Sequence, residues 1–205
     1  MNEFDDVILA NGSFPSHPIP LNLLRNAKQV VCCDGAVECF DRWRGTPAAI
    51  VGDGDSLSDE LKEKYADIWH PECEQETNDL TKAVRYLMNQ GSRHFAIVGA
   101  TGKREDHTLG NISLLIEYLR MGAKVEMYTD YGHFVPCSRF IDYITSRPGQ
   151  PVSIFNFNAT NFRSTGLRYP IYDFTNWWQG TLNEMTGAMA RIDADGDFLV
   201  YFPYI

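Results

Sequence analysis

The chain has 205 residues, with 27 acidic and 18 basic side chains and a formal net charge of −9. Its hydrophobic content of 44% is enough for one large domain or two small ones. Binding to nucleic acid or to an anionic membrane requires a basic surface, so we expect neither partner. An acidic protein commonly needs a metal ion to bind a phosphate.

The five cysteines lack the paired spacing of a disulfide framework, and no segment resembles a signal peptide or a membrane span. These features predict a reduced, cytoplasmic protein. Small apolar core residues are the simplest role for the cysteines.

Short apolar runs alternate with helical patterns through the first 130 residues. We predict buried strands at residues 6–10, 29–33, 48–52, 94–100 and 123–129. Continuous apolar runs are typical of parallel strands covered by helices on both faces. Apolar stripes from Leu80 to Met88 and from Leu109 to Leu119 predict crossover helices. Residues 1–132 are therefore predicted to form a Rossmann-like α/β domain.

From about residue 133 the helical stripes disappear, and short segments rich in aromatic and β-branched residues alternate with Pro, Gly, Asn and Asp. We predict a second, all-β domain over residues 133–205. Asp195-Gly196 is predicted to form a hairpin turn.

Polar residues follow the predicted strands. In an open parallel sheet a ligand binds beyond the carboxyl ends of the strands. These positions carry Asn11-Gly12, Asp34-Gly35, Gly52-Asp53-Gly54-Asp55-Ser56 and the segment 100–107, and Thr77-Asn78-Asp79 begin the first crossover helix. Loops are polar by default, but five such clusters together indicate a functional site.

The acidic pair Asp53 and Asp55 suits a metal ion. Mg²⁺ binds a few carboxylates and completes its shell with water and phosphates, so these two residues with Asp79 would suffice. A solvated turn with Ser56 or Ser58 as a helix cap is the plainer interpretation, but it does not explain an aspartate between two glycines. Gly54 would allow a phosphate or a metal ion to approach the backbone closely. The spacing excludes an EF-hand.

The segment Gly99-Ala-Thr-Gly-Lys103 is not a Walker A loop, because two residues instead of four separate its glycines. The segment could still bind a phosphate. Its glycines, the cations Lys103 and Arg104 and the free N–H groups of a helix that starts near Asp106 are all suited to an anion. Asp106 either caps that helix, positions Arg104 or orients a metal-bound water.

His107 and Asn111 share a helix face opposite the apolar stripe, which we expect to be solvated except near the helix start. Asp79 and Lys82, three residues apart, form either an exposed ion pair or a metal ligand beside a phosphate-binding cation. Spacing does not decide between these two interpretations.

These motifs resemble the thiamin pyrophosphokinase family. Its pattern runs Asp-Gly-Gly-Ala-Asn, Gly-Asp-Phe-Asp-Ser, Ser/Thr-Thr-Asp with a lysine three residues on, and Gly-Gly-Arg-x-Asp-His with a later Asn. The chain matches these at residues 34–36, 52–56, 77–82 and 102–111 in order and spacing, and residues 165–169 and 183–184 match two later motifs. It departs from the pattern at Ala36, Glu38, Gly54, Lys103 and Leu182.

The resemblance implies transfer of a diphosphate group from ATP to the hydroxyl of thiamin, with Mg²⁺, in a homodimer whose sites lie between subunits. It implies that the second domain is a β-sandwich. The implied catalytic residues are Asp53, Asp55, Asp79, Lys82, Arg104 and Asp106, the first three of them metal ligands. The implied ATP-binding residues are Asp34, Gly35, Gly52, Ser56, Thr77, Asn78, Gly102, Lys103, His107 and Asn111.

For thiamin, the implied contacts are an aromatic ring, Tyr169 or Trp177, and a hydrogen bond to Asn183. Trp178 is an alternative to Trp177, and a core role for either tryptophan stays open.

Two other functions also remain: a different Mg²⁺-dependent glycosyl- or nucleotidyltransferase with a nucleotide donor, and a non-catalytic nucleotide- or thiamin-binding module.

Overall fold

The computed structural model of the protein describes residues 4–72, 74, 76–144 and 147–205. The first part of the chain contains strands β1 (Asp6–Leu9), β2 (Gln29–Cys33), β3 (Ala49–Gly52), β4 (Trp69–Pro71), β5 (His94–Val98) and β6 (Lys124–Tyr128). Its helices are α1 (Pro18–Asn26), α2 (Ala36–Arg42), α3 (Asp59–Lys64), α4 (Asp79–Asn89) and α5 (Glu105–Arg120).

The second part contains β7 (Gly132–Ile144), β8 (Pro151–Asn156), β9 (Thr160–Thr165), β10 (Asn183–Glu184) and β11 (Met189–Pro203). Two short 3-10 turns span Ala66–Ile68 and Trp177–Gly180. None of the helices in the described ranges is both long and apolar enough to span a membrane.

All strands belong to one large sheet with the order β10-β8-β11-β7-β6-β5-β1-β2-β3-β4, and β9 also pairs with β11. Six strands that are neighbours in this order run parallel to one another: β6, β5, β1, β2, β3 and β4. Strand β7 pairs antiparallel with β6 on one side and with β11 on the other. The expected mixed α/β class is confirmed, and hydrogen bonds of the sheet cross the predicted boundary at residue 132.

The parallel strands bury both of their faces. Along β1, Val7 and Leu9 pack in a cluster with α1 and α2, whereas Ile8 packs in a second cluster with α4 and α5. Neighbouring Cys32 and Cys33 divide between the same two clusters, and both are free thiols. This alternation explains why these strands read as continuous apolar runs in the sequence. Cys73 lies outside the described residues.

The two predicted crossover helices exist, but the stripe predicted for the second is wrong at its start. Leu109 is 55% exposed, whereas Leu115 and Ile116 are buried. The first turns of α5 instead contribute His107, Thr108 and Asn111 to the lining of a cleft. Three elements of this part, α1, α2 and β4, were not predicted from the sequence.

The predicted hairpin at Asp195-Gly196 is also wrong. Strand β11 continues through these residues and pairs with β7 on both sides of a bulge between Asp193 and Asp197. Before the bulge β11 also pairs with β9, and after it with β8. Strand β7 is long enough to pair with both halves of β11, so the chain forms a bulge here and no turn. Gly196 lies in this bulge with φ of +128°, a backbone conformation that favours glycine.

Candidate active site

A cleft of about 480 Å³ lies at the carboxyl ends of β1, β3 and β5, beside the starts of α4 and α5. Ten of the predicted residues line it: Asp53, Ser56, Thr77, Asn78, Asp79, Lys82, Lys103, Arg104, His107 and Asn111. The other predicted residues of this part do not line it: Asp34, Gly35, Gly52, Asp55, Gly102 and Asp106.

Asp34 supports the cleft from behind. Its side chain is buried, its backbone has φ of +35°, and its Oδ2 accepts a hydrogen bond from the Ser56 N–H at 2.9 Å. Its Oδ1 is buried without a hydrogen-bond partner in the described ranges. A Cβ at Gly52 would lie 2.7 Å from the Asp34 Cβ, and one at Gly35 would lie 2.9 Å from the Ser56 Cβ. Glycine at both positions therefore lets the two strand ends meet.

The acidic loop is a tight turn against β4. The Asp55 N–H donates to Asp53 Oδ1 at 3.1 Å, and the side chain of Asp55 is exposed. Gly54 has φ of +82°, and a Cβ there would lie 2.6 Å from Cζ2 of Trp69. Trp69 thus occupies the space beside the position at which the family pattern has phenylalanine. Ser58 caps α3, and this capping does not involve Asp53.

Asp79 and Lys82 form an ion pair in which the lysine is buried and the aspartate is partly exposed, so it is not the fully exposed pair considered from the sequence. Lys82 is 4% exposed, and its Nζ donates to Asp79 Oδ1 at 3.2 Å. Burial raises the pKa of the Asp79 carboxyl, the bond from Lys82 opposes this shift, and the nearby carboxylates of Asp34 and Asp53 raise the pKa further. Negative charge is therefore concentrated at this end of the cleft.

Within the described ranges, no three His, Cys, Asp or Glu side chains are grouped closely enough to hold a metal ion by themselves. Mg²⁺, however, usually takes only one or two protein carboxylates together with water and substrate phosphates. Asp53 and Asp79 face the same cleft and interact through their charges, so the residues present fit this ion.

A basic loop forms the other side of the cleft. Lys103 Nζ donates to Asn11 Oδ1 at 3.2 Å. Arg104 is the N-cap residue of α5, and its Nε donates to Asp106 Oδ1 at 3.1 Å. This bond lowers the pKa of the Asp106 carboxyl. Asp106 therefore pairs with Arg104, and although Arg104 holds the N-cap position, Asp106 Oδ1 also accepts the N–H of His107 in the first turn at 2.9 Å. Gly102, with φ of +87°, lies close to the Ser13 side chain.

Two amide side chains connect the starts of the two crossover helices. Asn78 Nδ2 donates to Asn111 Oδ1 at 3.1 Å, and Asn111 Nδ2 donates to the Ala100 carbonyl at 2.8 Å. The face of α5 that carries His107 and Asn111 thus borders the cleft, whereas the sequence analysis expected most of it to be solvated.

The residues predicted to bind thiamin lie in the second part of the chain. Asn183 is buried, its Oδ1 accepts from the N–H groups of Tyr169 and Glu184, and its Nδ2 donates to the Tyr169 carbonyl. Among the described residues, the second amide hydrogen of Asn183 has no acceptor. The ring of Tyr169 is 54% exposed.

Trp177 packs on Phe155 and Phe157, and its Nε1 donates to the Asn156 carbonyl at 2.9 Å. Trp178 is 74% exposed. Neither tryptophan lines the cleft, and neither do Tyr169 and Asn183.

Several lining residues have no role in the predicted site. The strand-end rule places Asn11 at this edge of the sheet but gives it no role, whereas in the structure it lines the cleft and holds Lys103. Thr101 and Thr108 also line the cleft. Nothing in their local sequence separates these two threonines from ordinary loop and helix positions.

Comparisons with known proteins agree with the motifs. The model of the thiamin pyrophosphokinase catalytic domain matches residues 21–127, and that of the substrate-binding domain matches residues 132–201. Thiamine pyrophosphokinase 1 of Oryza sativa subsp. japonica is 32% identical over 231 residues, which cover 94% of this chain and 84% of the rice protein.

Solved structures share the fold. Thiamin pyrophosphokinase from Geobacillus thermodenitrificans matches with a TM-score of 0.79 at 20% identity, covering 98% of this chain and 97% of the other. The yeast enzyme matches with a TM-score of 0.80 at 16% identity, covering 100% and 88%. The chain belongs to the thiamin pyrophosphokinase family, as the motifs predicted.

Proposed function

We propose that this member of the family transfers the diphosphate group of ATP to the hydroxyl of thiamin, giving thiamin diphosphate and AMP. Its membership confirms the expected enzyme class, an ATP-dependent diphosphotransferase. The observation that carries the proposal is the cleft itself. Two carboxylates, Asp53 and Asp79, and two cations, Lys103 and Arg104, line this one cleft at the carboxyl ends of parallel strands.

Asp53 and Asp79 would hold Mg²⁺, with Asp55 as a third predicted ligand that approaches from the exposed side of the turn. The charge coupling of Asp79 to Asp53 and Asp34 supports this assignment. When bound, the ion would neutralise charge on the phosphate oxygens of ATP.

The chain's own cations complete the electrostatics. The reaction is an in-line displacement at the β-phosphorus, so positioning and charge stabilisation supply most of the rate. Lys103 is held by Asn11 and Arg104 by Asp106, which keeps both cations at the cleft. Lys82 is fixed beside Asp79 by burial. The Nδ2 groups of Asn78 and Asn111 each have a second N–H that can donate to a phosphate oxygen.

The remaining ATP-binding predictions fall into two groups. Ser56, Thr77 and His107 line the cleft, which supports direct contact with the nucleotide. The other four do not line it: Asp34, Gly35, Gly52 and Gly102. The burial of Asp34 and the close packing around the three glycines support a role in shaping the loops.

The acceptor site would be shared between subunits. All the residues that line the cleft come from positions 10–111, whereas the predicted thiamin residues Tyr169, Trp177 and Asn183 lie after residue 168. Exposed apolar side chains in that part, Trp178 and Leu182 among them, support a contact with a second chain. We therefore propose a homodimer in which residues 1–132 bind ATP and residues 133–205, as a β-sandwich, bind thiamin. Free thiols in both parts support a cytoplasmic location.

A product assay tests the proposed reaction. The purified chain is incubated with ATP, Mg²⁺ and thiamin, and AMP, ADP and thiamin esters are separated and quantified. We expect AMP and thiamin diphosphate in equal amounts, and no AMP without thiamin. ADP with thiamin monophosphate would contradict diphosphate transfer.

Two further arms address the alternatives. Turnover of sugar nucleotides without thiamin would favour another nucleotide-donor transferase. Tight binding of ATP or thiamin without any product would favour a non-catalytic module.

A further inference from the structure

A chain of hydrogen bonds runs from the core beneath α4 and α5 to the wall of the cleft. It begins at the hydroxyl of Tyr118, a fully buried residue of α5, which lies 2.9 Å from Oγ1 of Thr81 in α4. Thr81 Oγ1 bonds to Asn78 Oδ1 at 2.9 Å. From Asn78 the chain continues to Asn111 and ends at the carbonyl of Ala100, the residue after the Gly99 turn that follows β5.

The direction of every bond in this chain is fixed by chemistry. Asn78 Oδ1 is an acceptor only, and it already accepts from the Thr81 N–H at 3.0 Å, so the Thr81 hydroxyl must donate to it. The Thr81 oxygen must then accept a hydrogen bond from the Tyr118 hydroxyl. Burial raises the pKa of the Tyr118 phenol, so it remains a donor at any physiological pH.

The consequence appears at the other end of the chain. Because Asn78 Oδ1 receives two hydrogen bonds from Thr81, the amide of Asn78 cannot flip, and its Nδ2 points toward Asn111. The Ala100 carbonyl accepts from Asn111 and fixes that amide in the same sense. Both asparagines line the cleft, so each can offer the second N–H of its amide to a ligand there.

We propose that Tyr118 and Thr81 are positioning residues for the nucleotide: their hydroxyls hold the amides of Asn78 and Asn111 with N–H donors available to a phosphate. This inference rests on the proposed function. Flipped amides would turn carbonyl oxygens toward an anion, and their repulsion would weaken its binding.

Single-atom changes test the proposal. Tyr118→Phe removes one oxygen from the buried end, Thr81→Val removes the middle hydroxyl at nearly constant volume, and Thr81→Ser retains that hydroxyl. Tyr128→Phe is the matched control, since the Tyr128 hydroxyl also belongs to a buried residue but donates to Glu126, away from the cleft. Calorimetry gives the Kd of a non-hydrolysable ATP analogue with Mg²⁺, steady-state kinetics gives both KM values, and thermal melting gives Tm.

We expect Tyr118→Phe and Thr81→Val to weaken binding of the analogue about fivefold each, the size of one net hydrogen bond, with the KM for thiamin unchanged. Thr81→Ser should bind as the parent does. The double variant Tyr118→Phe/Thr81→Val should bind no worse than either single variant, because both interrupt one chain.

A loss of Tm without a change of Kd, as expected for Tyr128→Phe, would show a purely structural role and overturn the proposal. If Tyr118→Phe is too unstable to purify, equal affinities of Thr81→Val and Thr81→Ser overturn it instead. Failure of the proposed function is separate: a parent that binds the analogue but forms no thiamin diphosphate would refute the reaction and leave the positioning effect measurable.

Discussion

His133, at the start of β7, shows how burial sets the charge of a single residue. Its ring stacks on Tyr128 at 5.0 Å and lies 5.3 Å from Phe202, and burial lowers its pKa to about 4. The unfolded chain takes up a proton near the ordinary value of 6.5, whereas the folded chain does so only near 4. His133 therefore contributes stability above pH 6.5 that is lost as the pH falls toward 4.

We expect His133→Phe, which retains an aromatic ring, to reduce the loss of unfolding free energy between pH 6.5 and 4.5. The slope of the unfolding free energy against pH in this range should decrease by up to roughly 1 kcal/mol per pH unit. Urea unfolding at a series of pH values measures it. His70→Gln, at an exposed position, is the control and should keep the parent slope. An unchanged slope in His133→Phe would show that its protonation does not contribute.

Residue identity predicted much of the candidate site, because strand ends that are far apart in sequence meet at one edge of a parallel sheet. It could not decide the state of Asp79 and Lys82. The spacing of three residues is the same for an exposed and a buried pair, and only the packing of α4 against the sheet buries the lysine.

At the scale of elements, the turn after β3 depends on its contact with β4. Gly54 has a left-handed backbone, and the ring of Trp69 occupies the place of a side chain there. We expect Gly54→Ala to lower the free energy of unfolding by about 1–2 kcal/mol from backbone strain, and by more from overlap with the ring. Chemical denaturation measures the change.

Two companion variants separate these causes. In a Trp69→Leu background the ring is absent, so Gly54→Ala should lower the free energy of unfolding only by the part due to backbone strain. The part due to overlap with the ring should disappear. Gly110→Ala, in α5 with open space around its Cα, should be neutral or stabilising. Parent stability in Gly54→Ala would contradict the described turn.

The elements that the sequence predicted correctly are those with strong local signals: five parallel strands and the two longest helices. Strand β4 was missed because three residues carry no periodicity, and its place in the sheet comes from pairing with β3. The hairpin in β11 was wrongly predicted because a Gly after Asp favours a turn locally, whereas the length of β7 favours a bulge. Long-range pairing decided both.

At the scale of the whole molecule, the sheet joins the two predicted domains. Strand β7 bonds to β6 and β11, and Arg120 of α5 pairs with Asp197 of β11 at 2.8 Å. We therefore expect both parts to unfold in one cooperative transition.

Tryptophan fluorescence can follow each part separately. Trp43 and Trp69 report on the first part, and Trp177 and Trp178 on the second. In one variant Phe replaces Trp43 and Trp69, and in the other it replaces Trp177 and Trp178. Urea unfolding of the two variants, followed by the fluorescence of the remaining tryptophans, should show coincident midpoints. Separate midpoints would show that the two parts unfold independently.

In the proposed reaction, the cleft that the acidic turn and the basic loop line performs the diphosphate transfer. The most direct measurement is the rate of thiamin diphosphate and AMP formation by the parent, Asp53→Asn and the exposed control Asp67→Asn. The amide oxygen at position 53 can still accept the Asp55 N–H, so the turn should persist while the charge is lost. We predict a loss of at least about 100-fold in Asp53→Asn at unchanged Tm, and parent rates in Asp67→Asn. A parent rate in Asp53→Asn would contradict the account.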